Sequence, residues 1–143
     1  MNKKILIGIV VILALAGAYF YLMSSSRSGV PATVAPEATG KNIVVLTNTS
    51  YSPNSLTIAK GTTVVFKNES NTQMWTASAM HPSHTAYSGT ALSDHCPDVN
   101  NASFDACRGY EPGESWSFTF NKVGTWKYHN HMNPSAWGSV TVQ

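Results

Sequence analysis

All five histidines of this chain fall between residues 81 and 131. Four of them form two short motifs, His81-Pro-Ser-His84 and His129-Asn-His131. On a strand, residues two apart point to the same side, so His129 and His131 can meet one ion. The His81–His84 spacing lets two side chains converge in a turn. Together the motifs offer four neutral nitrogen donors, a set suited to Cu(II) or Zn(II). His95 stands outside both motifs and reads as a surface loop residue. Met80 and Met132 flank the motifs and read as packing residues, with soft ligation of Cu(I) as the other reading. Trp75 reads as a core tryptophan.

Other chemistries find little support. There is no Ser-His-Asp spacing, no glycine-rich phosphate loop and no HExxH motif. Asp94, Asp98 and Asp105 read as loop-solvating carboxylates rather than an acid–base set, so the chain reads as a non-enzyme. Residues 41–143 carry six positive and six negative side chains, which gives no electrostatic case for nucleic acid.

The elements that must hold the histidines are short strands. Charged residues are only 11% of the chain, while threonine, serine, valine and aromatics are plentiful. Such side chains suit a half-buried pleated surface. Asn42–Leu46, Ser55–Ile58, Thr62–Lys67, Gln73–Ala77, Ser115–Phe120, Thr125–Asn130 and Gly138–Val142 read as strands. Tyr51-Ser-Pro-Asn54, Lys60-Gly61, Glu111-Pro-Gly-Glu114 and Asn121-Lys-Val-Gly124 read as turns. Seven short strands in about 100 residues predict an antiparallel Greek-key β-sandwich. If Trp126 and Tyr128 face its core, Asn130 does too, and His129 and His131 face outward. They would lie beneath residues 78–110, a long segment rich in His, Pro, Asp, Asn and Gly.

The N-terminus reads as an export signal: a basic start through Lys4, then an apolar run from Ile5 to Met23 without a charge. Ala14-Leu-Ala16 offers a cleavage site, yet the whole run approaches the length that spans a bilayer. Residues 1–23 are therefore a signal anchor or a signal peptide, residues 24–40 a Ser/Ala/Pro/Thr-rich linker, and residues 41–143 one domain. The lysines before the run place the domain outside the cytoplasm, membrane-tethered or secreted. Outside the cytoplasm, Cys96 and Cys107 read as a disulfide.

Two blocks of the chain resemble a small cupredoxin. The first is Tyr51-Ser-Pro, Leu56-Thr-Ile and Lys60-Gly61 through Asn68. The second is Pro112-Gly-Glu, Ser117-Phe-Thr-Phe120, Val123-Gly-Thr-Trp-Lys-Tyr-His129 and Gly138–Val142. The resemblance covers roughly residues 42–77 and 111–142, and it implies a Greek-key sandwich that holds copper at one end. It breaks at the ligands. Without gaps, Asn130 falls on the family's cysteine, Asn133 on its histidine, Ala136 on its methionine and Trp75 on its early histidine. A gapped register puts His131 on the histidine and Tyr128 on the cysteine. Neither supplies a thiolate, so the resemblance implies an extracytoplasmic copper protein for storage, delivery or electron transfer with a pale, non-blue site of histidines. Zinc is the alternative metal. A metal-free surface sandwich that binds a protein or glycan is the alternative function.

Overall fold

The computed structural model describes residues 42–143. The expected apolar segment 1–23 and linker 24–40 lie outside them. In chain order the strands are β1 (Ile43–Leu46), β2 (Tyr51–Ser52), β3 (Ser55–Ile58), β4 (Thr62–Asn68), β5 (Thr76–Ser78), β6 (Ser115–Phe120), β7 (Gly124–Asn130) and β8 (Asn133–Val142). They form two four-stranded sheets, ordered β2-β1-β4-β6 and β3-β8-β7-β5.

Two joins correct the expectation of a purely antiparallel sandwich. β1 runs parallel to β4, with Ile43 opposite Val65, and β3 runs parallel to β8, with Ser55 opposite Ser139. Parallel neighbours need a crossover between them. Here β3 supplies one, because the chain leaves the first sheet after β2, adds a strand to the second and returns as β4 beside β1. Tyr51 and Ser52 also differ from expectation. They pair with Leu46 and Val45 rather than forming a turn, and the turn lies at Thr47–Ser50.

Strand alternation fills the space between the sheets. Val44, Leu46, Val64, Phe66, Phe118 and Phe120 enter it from one side, and Ile58, Tyr128, Val140 and Val142 from the other. The segment between β5 and β6 completes this core. It contains two single-turn helices, α1 (Thr85–Ser88) and α2 (Leu92–His95), and sends in two aromatic rings. Phe104 sits 4.7 Å from the Phe120 ring and Tyr87 5.1 Å from Phe118. The expected disulfide, Cys96–Cys107, closes the same segment. A long polar loop is thus tied down at two rings and one bond.

Residues 104–106 also cover the free edge of β5. Ser78 N–H donates to the Phe104 carbonyl and Ala106 N–H to the Thr76 carbonyl. A covered edge cannot recruit a foreign strand. More important here, it fixes Asp105 at a defined register beside the sheet.

Candidate metal centre

One transverse row of the second sheet builds the floor of the site. Asp105 bridges to Ala77, Ala77 pairs with His129, and His129 pairs with Trp137. Residues directly opposite in a ladder share a face, so all four side chains rise on the same side. Ala77 is the small member, fully buried between a carboxylate and an imidazole.

The segment after β5 is pinned by backbone hydrogen bonds. Ala79 N–H donates to the Lys127 carbonyl, and His84 N–H to the Met80 carbonyl at 2.7 Å. The Ser78 hydroxyl donates to the His84 carbonyl. His84 itself has φ 57°, a left-handed conformation that costs a non-glycine residue about 1 kcal/mol or more. The surrounding bonds impose it, and the result is a fully buried imidazole.

On the other side, β7 delivers His129 at 6% exposure, and the two-residue turn to β8 delivers His131. A register shift between His129 and Asn130 marks the point where the strand gives way to that turn. His131 N–H donates to the Trp75 carbonyl at 2.7 Å, and its ring lies 4.4 Å from the Trp75 ring. The Asn130 side-chain oxygen accepts from the Trp75 and Met132 backbone N–H groups, so this buried residue shapes the turn.

The four imidazoles of the two motifs converge. One ligand atom from each of His81, His84, His129 and His131 lies within 4.8 Å of all the others. The closest approaches are His84 Nε2 to His131 Nδ1 at 2.9 Å and His81 Nδ1 to His129 Nε2 at 3.3 Å. At metal–nitrogen bonds of about 2.0–2.1 Å, tetrahedral neighbours stand about 3.3 Å apart and trans partners in a square about 4.1 Å apart. The observed spacings suit one ion at the centre. His81 is exposed, His131 half-buried and the other two buried.

Asp105 holds His84 in place, and sequence reasoning missed it. Its side chain is fully buried rather than solvating the loop. Oδ2 accepts from His84 Nδ1 at 2.6 Å and lies 3.1 Å from His95 Nε2. Oδ1 accepts from Trp75 Nε1 at 2.7 Å and from Cys107 N–H at 2.8 Å. With Nδ1–H given to the carboxylate, His84 turns its Nε2 lone pair toward the other three rings. The one sequence signal was an aspartate set between Phe104 and Ala106, just before a cysteine.

Electrostatics disfavours a proton on His129 and His131 and keeps the Asp105 carboxylate charged. Burial, then the neighbouring rings of His84, His81 and His131, push His129 down to about 4. Burial and the His84 and His81 rings lower His131 as well. Burial alone would raise Asp105. Hydrogen bonds from His84, Trp75, Cys107 and His95 outweigh it and hold the carboxyl at about 2.

The other expected positions behave differently. Met80 and Met132 are 68% and 53% exposed, so they are not packing residues. Trp75 is half-buried against the site rather than sealed in the core. Ala136 is buried apolar wall, and the exposed Asn133 accepts from Ser135. Tyr128 fills the interior at this end, and a side chain at Gly138 would collide with its hydroxyl and with the Asn54 carbonyl.

No protein-family model and no curated protein matches the chain. Solved structures do. A purple cupredoxin from Nitrosopumilus maritimus superposes with a TM-score of 0.52 at 22% identity, over 71% of this chain and 98% of that one. A reduced mutant of amicyanin gives 0.56 at 20% identity, and a Cu(I) form of another amicyanin mutant 0.53 at 19%. Each spans 76% of this chain and 87% of the amicyanin. Residues 42–143 therefore have the cupredoxin fold, with four histidines gathered at one place on its second sheet.

Proposed function

We propose that this chain is an extracytoplasmic copper-binding protein that holds one Cu(II) ion through His81, His84, His129 and His131. The observation that carries the reading is the convergence of four ligand atoms within 4.8 Å. Four neutral imidazoles favour Cu(II) over Zn(II) by the Irving–Williams order. The fold, shared with a Cu(I)-bound amicyanin mutant, supports the same metal. Zinc is the second reading, favoured by the tetrahedral 3.3 Å spacing of His81 and His129.

The donor set bears on the role. Copper bound by imidazoles supplies a redox-active ion, but no cysteine lies among the four donors. A set without thiolate gives no intense blue band and stores less of the rigidity that favours fast electron transfer. Binding and handing over copper fits better. Three rings are wholly or partly covered and His81 is exposed, so His81 is the arm that an incoming carrier displaces first. The apolar run Ile5–Met23 supports tethering outside the cytoplasmic membrane.

Metal analysis and EPR of the full chain loaded with Cu(II) test the proposal. One equivalent of copper in a nitrogen-rich, non-blue environment supports it. Failure to hold copper, with tight stoichiometric zinc, favours the second reading.

A further inference from the structure

A second group of ligand atoms lies next to the first. One atom from each of His95, Cys96, Asp105 and Cys107 is within 4.8 Å of all the others. The sulfurs are joined as a disulfide in this structure, so this group reads first as a staple. His95 Nε2 donates to Asp105 Oδ2 at 3.1 Å. Its Nδ1 lies 3.1 Å from the Thr90 carbonyl, which accepts the ring proton in the other tautomer and frees Nε2 to bind a metal. A cation between Nε2 and Oδ2 would then take the place of that proton. Their separation is close to the edge of about 3.3 Å expected for tetrahedral ligands with bonds near 2.0 Å.

We propose that reduction of the Cys96–Cys107 disulfide opens a second metal site, made of two thiolates, His95 and Asp105, for a dication such as Zn(II). The proposal does not depend on the four-histidine reading, since it shares no metal-binding atom with that set. The chemistry balances with a dithiol as reductant. One of its sulfurs attacks the disulfide, and the mixed disulfide resolves as the second closes a ring. Two electrons break the S–S bond and two protons convert Cys96 and Cys107 to thiols. A dication then displaces both protons to solvent. Thiolates on one zinc stand about 3.8 Å apart at bond lengths near 2.3 Å, a spacing that side-chain rotation provides once the bond is cut.

Access is built in. A surface pocket of about 500 Å³ is lined by Asp105 and Cys107 together with Pro97, Arg108, Tyr110 and Trp116. A reductant can therefore reach the disulfide at Cys107. Thiolate, imidazole and carboxylate are each ligands that tetrahedral zinc takes. Asp105 links the two groups, because the oxygen facing His95 also accepts from His84.

Cobalt(II) reads this site directly, since only thiolate ligation produces an intense near-ultraviolet charge-transfer band. The full chain is reduced with a dithiol, desalted without oxygen and titrated with Co(II). The expected result is a band that saturates at one equivalent of thiolate-bound metal and is absent from the oxidised chain. The band persists in the His129→Ala/His131→Ala variant, so failure of the first site does not mimic failure of the second. In His95→Ala, cobalt affinity falls by more than about tenfold. Three results overturn the proposal. One is two free thiols with retained near-ultraviolet circular dichroism and no band in excess cobalt. Another is a fold lost on reduction that cobalt does not restore. The last is full affinity in His95→Ala, which would mean chelation by the cysteines alone.

Discussion

His84 Nδ1 lies 2.6 Å from Asp105 Oδ2, and neither side chain reaches solvent. The two residues are 21 apart in sequence and meet only because Phe104–Ala106 caps the edge of β5. One imidazole is thereby fixed in tautomer and direction before any metal arrives. Such second partners of a ligating histidine affect affinity strongly.

Asp105→Asn keeps the size of the side chain but replaces one acceptor oxygen with a donor. An amide cannot satisfy His84, His95, Trp75 and the Cys107 N–H at once. Copper affinity is expected to fall about 10- to 100-fold. Competition against a chelator of known affinity measures it. Unchanged affinity would mean that His84 needs no partner.

Ala77 lies between Asp105 and His129 in the same row of the sheet. A larger residue there adds volume between the carboxylate that holds His84 and the His129 ring. Ala77→Val is expected to weaken metal binding while leaving the strands intact, at a cost of about 1–3 kcal/mol in stability from overpacking. Metal titration and thermal denaturation of the same variant separate the two effects. Equal copper affinity in Ala77→Val would show that the site does not need a small side chain there.

Acid should destabilise the metal-free chain in two windows. His129 takes a proton near 6.5 when unfolded but only near 4 when folded. The unfolded chain therefore binds more protons between these values, and stability falls as pH drops through them. Asp105, held at about 2 against an ordinary 3.8, acts in the same direction at lower pH. Its contribution is present above 3.8 and lost toward 2. Denaturant midpoints of the metal-free chain at pH 7.5, 5 and 3 measure both steps. A midpoint that does not move between pH 7.5 and 5 contradicts the His129 assignment.

Much of the strand pattern was legible in the sequence, because alternation and turn residues are local signals. β3 and β6 fall where Ser55–Ile58 and Ser115–Phe120 predict them. The parallel joins were not legible, since they depend on which sheet each strand enters. Tyr51 and Ser52 were read as a turn because a two-residue strand has no period to detect. The four histidines stood out by pairing. Their convergence was expected from strand geometry at His129 and His131, although His131 in fact sits in the turn after the strand. Asp105, Tyr87 and Phe104 carry no local pattern. Each is isolated in a polar stretch, and only the folded segment gives it a partner.

EPR of the full chain with Cu(II) shows whether four imidazoles share one ion. The prediction is one equivalent of copper, hyperfine structure from several nitrogens and no intense blue band. In the His129→Ala/His131→Ala variant that signal disappears while the fold remains. A chain that holds no stoichiometric copper, or whose signal survives in the double variant, would show that the four rings do not share an ion.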